Sequence, residues 1–186
     1  TKIADELIHK YAGEHRRLLD IVAAPSFSDE AIEILSRKKG KCRLLVNGAI
    51  EKAGLSSLDS TSRFRYVRGG FLTQPNYTFL PSIASAKEGG PELEEEVIRD
   101  ILLAWAIGAT SNSNTITITK NGRLYGNGVG QQDRVGAAKL AISRADDAAL
   151  VSDPDSKQAD LDGATAYSDS FFPFPDAPEV LIDRGV

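Results

Sequence analysis

The sequence predicts an α/β fold, and three observations carry that prediction. The first fifty residues alternate between helical and strand patterns, in the order helix, strand, helix, strand, which is typical of a parallel sheet. Further along, NTITITK alternates apolar and polar side chains and is followed by Asn121-Gly122, a strong two-residue hairpin signal. The composition, with 41% hydrophobic and 26% charged residues, is that of a globular protein with enough apolar residues for a core.

The N-terminal elements are predicted from periodicity and capping residues. Apolar residues at helical spacing predict an amphipathic helix over 2–19. These residues are Ile3, Leu7, Ile8, Tyr11 and Leu18. IVAA (21–24) is predicted to be a short buried strand, and Ser28 to cap a helix that ends before Gly40. RLLVN (43–47) is the next predicted strand.

The middle of the chain is less regular. RFRYVRGGFLTQ (63–74) is predicted to be one strand interrupted at its glycine pair by a bulge or a close backbone approach. Residues 75–90 have no clear period and are predicted to be a loop that separates two lobes. Pro91 is predicted to open a long helix that ends at Gly108.

The C-terminal third is again predicted to alternate between strands and helices. RLYGNGVG is the return strand of the hairpin, and QQDRVGAAKLAISRA is a helix of small residues that could pack closely on a sheet. A polar, acidic connection (151–163) leads to a last strand, ATAYS. FFPFPD is then a loop, and APEVLIDRG a short helix.

Composition excludes several classes of function. The net charge of −4 offers no basic surface for nucleic acid, and no apolar run approaches the ~20 residues of a membrane span. The single cysteine, Cys42, excludes an internal disulfide and fits a reducing cytoplasm. One cysteine and two histidines in a charged helix, His9 and His15, make no structural zinc set.

Two polar or glycine-rich stretches are open to two interpretations. GNGVGQ, between a strand and a helix, could cradle an anion at the helix N-terminus, but its spacing is more typical of a tight strand-to-helix turn. SNSN (111–114) could surround a ligand with neutral hydrogen-bonding groups, although taken alone it is more typical of a helix-to-strand loop.

The stretch SDSFFPFPD (168–176) is the most informative. Prolines stiffen the backbone, and rigid aromatic rings form a stacking surface at low entropic cost. An aspartate at each end could accept hydrogen bonds from ring N–H groups. The stretch therefore predicts either a slot for a flat, nitrogen-rich heterocycle or a hydrophobic loop that plugs the core, and physical reasoning alone does not separate the two.

Three segments in this order resemble one enzyme family. SNSN, then NGRLYGNGVGQQDR, then SDSFFPFPDAPEVLIDRGV is similar to the transformylase part of the bifunctional enzyme 5-aminoimidazole-4-carboxamide ribonucleotide (AICAR) formyltransferase/IMP cyclohydrolase. Family members carry S-N-S or S-N-A, then G-x-G-x-G-Q-x-x-R, then S-D-A-F-F-P-F-R-D. DIVAAPSFSDEAIEIL, KCRLLV and VRGGFLTQ also look like the family, so the resemblance covers nearly all of the chain.

The resemblance implies a fold and a reaction. The transformylase part of the family consists of two three-layer, mixed-sheet α/β lobes resembling cytidine deaminase without the zinc. In this chain, residues 1–85 would be the end of the first lobe and residues 86–186 the second. The family transfers a formyl group from 10-formyltetrahydrofolate to the 5-amino group of AICAR in purine (IMP) biosynthesis, at active sites on a homodimer interface.

The resemblance also implies a folate site. Phe171, Phe174 and Asp176 match the loop that would line the pterin pocket. Arg134 and Val135 match the segment beside the folate. The partners implied are thus a reduced folate and AICAR.

Other positions match residues around the substrate. Asn112 matches a catalytic asparagine near the reacting amine and formyl group, and Asp20 an acidic residue that contacts AICAR. Ser111, Ser113 and Asp169 match positions around a monovalent cation, K⁺, in some members.

The sequence departs from the family in ways that keep other hypotheses open. The chain contains no K-H-x-N-P-x-G stretch, which holds the family's catalytic Lys-His pair, and Pro175 replaces the arginine of F-F-P-F-R-D. One alternative is a non-catalytic paralogue or subunit that binds folate or a purine nucleotide. Another is a structural α/β domain, which predicts that Phe171 and Phe174 are fully buried and that no pocket lies near Asp176.

Overall fold

The computed structural model describes residues 1–10, 12, 17–36, 42–52, 54–82 and 92–186, and within them it confirms the α/β class. The chain divides into two compact units, Thr1–Thr78 and Phe79–Val186. The predicted lobe boundary at residues 85 and 86 lies outside the described residues, and that division stays a prediction.

The N-terminal unit begins with the predicted order of elements: α1 (Lys2–His9), β1 (Ile21–Ala24), α2 (Asp29–Leu35) and β2 (Arg43–Val46). The strands β1 and β2 pair in parallel, as the sequence predicts. Their connection runs through α2, whose first turn is capped by Ser28: the Ser28 Oγ accepts a hydrogen bond from the Ala31 N–H at 3.3 Å. A small core between α1 and α2 buries Ala4, Ile8, Ala31 and Leu35.

Helix α1 is shorter than predicted, because its last carbonyls find other partners. The Ile8 carbonyl accepts from the Arg17 N–H at 2.8 Å, whereas a continuing helix would have used the N–H of Ala12. Leu18, predicted to belong to the apolar stripe, is exposed, and Tyr11 lies outside the described residues. The strand β1 is also not buried as predicted: its residues alternate between exposed and half-buried.

The predicted single strand 63–74 is in fact a hairpin, β3 (Ser62–Val67) and β4 (Gly70–Pro75). Val67 pairs with Gly70 across the antiparallel ladder, so Arg68 and Gly69 form the turn. Gly69 has a φ of 88°, which an L side chain rarely adopts, so the glycine pair permits a reversal of direction rather than a bulge. Residues 76–82 are irregular, in agreement with the predicted loop.

The C-terminal unit is built on β5 (Ile116–Lys120), β6 (Arg123–Gly128) and β7 (Thr165–Ser168). In the described chain these strands form an antiparallel sheet in the order β6-β5-β7, called the C-terminal sheet below. The predicted Asn121-Gly122 turn is confirmed, with φ values of 53° and 69°. Two successive positive φ angles are those of the type I′ turn that fits the twist of a hairpin.

Helices cover both faces of the C-terminal sheet. The helix α3 (Glu95–Gly108) lies against the face that carries Thr117 and Thr119, and α4 (Arg134–Ser152) against the face that carries Ile116 and Ile118. This is a three-layer arrangement. The described sheets are each wholly parallel or wholly antiparallel, so the predicted mixed sheet is not observed in this part of the chain.

The close approach of α4 explains the glycines of β6. A Cβ at Gly126 or Gly128 would collide with the backbone carbonyl oxygen of Ala141 or Ala137. The prediction that this small-residue helix packs closely on a sheet is therefore confirmed, and the helix extends beyond the predicted end to Ser152.

The remaining boundaries differ in detail. The helix α3 begins at Glu95, after an extended Glu94, and the predicted start at Pro91 lies outside the described residues. The chain ends with α5 (Asp176–Ile182). Among the described helices, none combines the length and the apolar composition that a membrane span needs.

Candidate functional site

The SNSN segment connects α3 to β5 and is tied to the end of β6. The Ser111 Oγ donates to the Ile107 carbonyl at 2.9 Å and accepts from the Asn127 Nδ2 at 3.1 Å. The first serine of the segment is therefore held on one side by α3 and on the other by the C-terminal sheet.

The same segment is also tied to the turn before α4. The backbone N–H and the Nδ2 of Asn114 both donate to the Gln131 carbonyl, at 3.2 and 2.9 Å, and the Gln131 N–H donates to the Asn114 carbonyl at 3.3 Å. The Gly130 N–H donates to the Asn112 carbonyl at 2.9 Å. These bonds fix the backbone of Asn112, while its exposed side-chain amide has no hydrogen-bond partner in the described chain.

An arginine at the first position of α4 faces the end of β7. The Arg134 Nη2 lies 3.4 Å from the Asp169 Oδ1, and the two side chains are only 19% and 15% exposed. Within the described residues the Arg134 Nε is buried without a hydrogen-bond partner. A buried N–H without a hydrogen-bond partner lowers the stability of the fold unless a ligand or a water molecule accepts its hydrogen bond. The Asp169 N–H donates to the Thr115 carbonyl at 3.2 Å, which places this pair beside the SNSN segment.

The aromatic loop after Asp169 is anchored by one of its three phenylalanines. Phe172 is half-buried and packs on the core of the C-terminal unit. Phe171 and Phe174 are 78% and 69% exposed. The hypothesis of a structural domain predicts that both are fully buried, and in that respect it is wrong.

The end of the loop starts α5. Pro175 occupies the N-cap position, with its carbonyl accepting from the Glu179 N–H at 2.8 Å. Asp176 is the exposed first residue of the helix, and its Oδ1 accepts from the Ala177 N–H at 2.8 Å. Its other carboxylate oxygen is thus left to face solvent or a ligand.

One tyrosine next to this region is electrostatically perturbed. Burial raises the pKa of Tyr167, and the negative charge of Asp169 raises it further. Its ring packs where a Cβ on Gly108 would lie. The hydroxyl therefore stays protonated at neutral pH.

Comparison with known proteins identifies the family of this chain. The family model of the AICARFT/IMPCHase bienzyme matches residues 3–144. The chain belongs to this family. It is 38% identical over 173 residues to the bifunctional purine biosynthesis protein PurH of Bacillus mycoides (strain KBAB4), and 37% identical over 175 residues to that of Anoxybacillus flavithermus (strain DSM 21510 / WK1). Each alignment covers 92% of this chain, which spans only 30% of the length of these curated relatives.

The structure brings several predicted site residues of the AICARFT/IMPCHase family together. Arg134 and Asp169 contact each other at one end of the C-terminal sheet. The Asp169 N–H also donates to the carbonyl of Thr115, which directly follows the SNSN segment with Ser111 and Asn112. Ser113 is exposed in the same segment, and Val135 is the half-buried second residue of α4. Asp20 lies in the N-terminal unit, where its carbonyl accepts from the Arg43 N–H at 2.8 Å. The ligand roles of all these residues stay predictions.

Two of the three residues at the predicted cation site already contact other groups of the protein. The Ser111 Oγ and the Asp169 carboxylate are engaged by protein partners. Within the described ranges no group of three or more His, Cys, Asp or Glu side chains converges on a point. Potassium stays a prediction, and no step proposed below depends on it.

Some residues of the site are not found by sequence reasoning. Asn114, rather than Asn112, is the asparagine whose side chain is fixed against the turn before α4. Asn127 bridges the sheet to the SNSN segment, although it stands at an unspecified position of the G-x-G-x-G pattern. The alternating pattern of β5 and β6 indicates two strands, but only their register reveals that Asn127 faces Thr117.

Proposed function

We propose that this chain acts in purine biosynthesis as part of a transformylase that moves a formyl group from 10-formyltetrahydrofolate to the 5-amino group of AICAR. The observation that carries the proposal is the aromatic loop: Phe172 anchors it, while Phe171 and Phe174 are exposed directly after the Arg134–Asp169 pair. Exposed, rigid rings that follow Asp169 closely in sequence, together with the buried, unsatisfied N–H of its partner Arg134, suit a flat heterocycle with hydrogen-bonding edges.

Family membership supports the same function. The relatives are named bifunctional purine biosynthesis proteins, and the family name joins AICARFT and IMPCHase. Because the chain spans 30% of those relatives, the activity of the whole protein is a proposal for this chain. The helices on both faces of the C-terminal sheet are compatible with a lobe that resembles cytidine deaminase without zinc, and we include that fold in the proposal.

The chemistry requires positioning and charge stabilisation. The AICAR amine is a weak nucleophile, because its lone pair is delocalised into the ring and the carboxamide. Attack on the formyl carbon creates a tetrahedral oxyanion, so a fixed donor near that oxygen lowers the barrier. We assign this role to the Asn112 amide: the backbone of Asn112 is held by the Gly130 N–H, and its unengaged side-chain amide can turn to donate to the oxyanion.

The folate would be held by the groups at the end of β7 and the start of α5. The free carboxylate oxygen of Asp176 can accept a hydrogen bond from a pterin N–H. The Arg134 guanidinium, oriented by Asp169, can donate its unused Nε–H to an oxygen of the ligand. Phe171 and Phe174 would stack on the ring.

A proton must also leave the amine and reach the departing folate nitrogen. The His9 Nδ1–H donates a hydrogen bond to the Asp5 Oδ1 at 2.9 Å on the exposed face of α1, which is typical of a solvated pair. His15 lies outside the described residues. We therefore assign the acid/base step to no residue of this chain.

The test is formyl transfer by the intact protein, followed as formyl-AICAR formation by mass spectrometry. Phe174→Ala should raise the KM for 10-formyltetrahydrofolate about tenfold, the effect of losing one stacking contact. Asp176→Ala should act in the same direction. Leu150→Ala is the matched control, because Leu150 is an exposed apolar residue at the opposite end of α4 from Arg134. Equal KM values for all three variants and the wild type would refute the folate slot.

A second candidate is a non-catalytic protein that binds folate or a purine nucleotide. Pro175, which caps α5 where the family has arginine, favours it. Isothermal titration separates the two candidates: binding of a reduced folate that is lost in Phe171→Ala/Asp176→Ala, without any formyl transfer, would favour the binding protein. The homodimer and the cytoplasmic location implied by the resemblance stay predictions.

A further inference from the structure

We infer that Asn127 is a positioning residue, which holds the SNSN segment and thereby Asn112 in place for the reaction. The inference rests on the proposed formyl transfer for its kinetic consequence, but its structural consequence can be measured without that reaction. It starts from a chain of hydrogen bonds that crosses the α3 face of the C-terminal sheet.

The donors and acceptors of these hydrogen bonds follow one direction, from Thr117 towards α3. The hydroxyl of Thr117, which is fully buried, donates to the Asn127 Oδ1 at 2.8 Å. The Asn127 Nδ2 donates to the Ser111 Oγ at 3.1 Å, and the Ser111 hydroxyl donates to the Ile107 carbonyl at 2.9 Å. Each hydroxyl proton is used once, so the order of donors fixes which way the Asn127 amide points.

The position of Asn127 in the sheet explains why it can do this. It stands directly opposite Thr117 in the ladder between β5 and β6, so both side chains point to the same face. The backbone of Asn127 is held from the other side, since the Arg144 Nη1 donates to its carbonyl at 2.9 Å. A side chain fixed at two points on a rigid strand is a precise support for a neighbouring loop.

What Asn127 supports is the segment whose backbone carries Asn112. Ser111 precedes Asn112 directly, and the Asn112 carbonyl and the Asn114 N–H make the bonds to Gly130 and Gln131. Without the Asn127 amide, Ser111 keeps only its two bonds to α3, from its Oγ to the Ile107 carbonyl and from its N–H to the Gly108 carbonyl. We expect the segment to open more often, and a small displacement of a positioned group is costly in catalysis.

The first measurement is native-state hydrogen exchange. Asn127→Ala should accelerate exchange at the N–H groups of Gly130 and Asn114 by about tenfold, the size expected for one lost hydrogen bond. Exchange within β5 should stay as in the wild type. The matched control is Thr119→Val, which removes the buried bond from the Thr119 Oγ1 to the Asp100 carbonyl on the same strand and face but leaves the chain to Ser111 intact.

The second measurement is steady-state kinetics of formyl transfer. Asn127→Ala should lower kcat about tenfold and change each KM by less than about twofold, because the transition state and not substrate binding depends on the segment. Asn127→Asp should recover part of this loss: its carboxylate still accepts from Thr117, and Ser111 can rotate to donate to it.

The outcomes distinguish this inference from the proposed function. Unchanged exchange at Gly130 and Asn114, or faster exchange throughout β5 as in a merely destabilised sheet, overturns the positioning role even if the protein is an active transformylase. A local increase in exchange in a protein that transfers no formyl group supports the positioning of the segment and rejects the proposed reaction.

Discussion

Asp100 anchors the hairpin between β5 and β6, and its loss should be costly. This aspartate of α3 is 6% exposed, and its two carboxylate oxygens accept from the backbone N–H groups of Asn121 and Gly122, both at 2.7 Å. In Asp100→Asn the amide offers one acceptor, and its NH2 group faces the second N–H. One charge-assisted bond is lost, which destabilises the C-terminal unit by about 2 kcal/mol. For a unit of this size, that lowers Tm by about 8 °C.

The assay uses the only tryptophan of the sequence, Trp105, which lies in α3 and reports on the C-terminal unit. Its fluorescence is followed during thermal and urea unfolding of the wild type and Asp100→Asn. Asp147→Asn is the control, because it removes the same charge from an exposed helical position. If both variants unfold within about 0.5 kcal/mol of each other, the range of ordinary surface substitutions, the reasoning about the hairpin anchor fails.

Two further predictions concern α4. Hydrogen bonds from Arg184 at 2.8 and 2.9 Å hold the pKa of Asp146 below its ordinary value. A lowered folded-state pKa means that this stabilisation is present above about pH 4, the ordinary value, and is lost as the pH falls through the folded pKa. Asp146→Asn should therefore show a shallower fall of Tm below that pH than the wild type; parallel curves would contradict the linkage. Gly126→Ala should destabilise the C-terminal unit by about 2 kcal/mol, because its Cβ meets the Ala141 carbonyl, whereas Gly48→Ala, in open space, should not. Chemical denaturation of both glycine variants checks this, and equal midpoints would show that α4 can move away.

Two of the confirmed fold predictions depend on interactions between residues that are close in sequence. Asn121-Gly122 predicts its own turn, and Ser28 its own cap, from residues that are neighbours in sequence. The prediction of a helix over 2–19 is wrong in extent because apolar spacing continues through Leu18, while the backbone of Ile8 bonds to Arg17 instead. The spacing of apolar residues does not reveal whether a backbone carbonyl bonds within the helix or to a residue further along the chain.

The candidate site is likewise predictable only where it depends on residues that are neighbours in sequence. The sequence places three phenylalanines in one loop, but it does not reveal that Phe172 packs on the core while Phe171 and Phe174 stay exposed. The link from Asn127 to Ser111 depends on strand register and on where α3 ends. Residues 16 positions apart in the chain become partners only once the sheet exists.

The contact between β6 and α4 also limits how this protein can diverge. At Gly126 and Gly128 the obstacle to a side chain is main-chain oxygen, and no substitution in α4 can make a carbonyl smaller. At most packing positions a larger side chain can be accommodated when a neighbouring side chain becomes smaller. At these two positions the neighbouring atoms belong to the backbone, so no such compensation is available. We expect glycine to persist at both positions in every descendant that keeps this helix on this sheet, however far the exposed surface drifts.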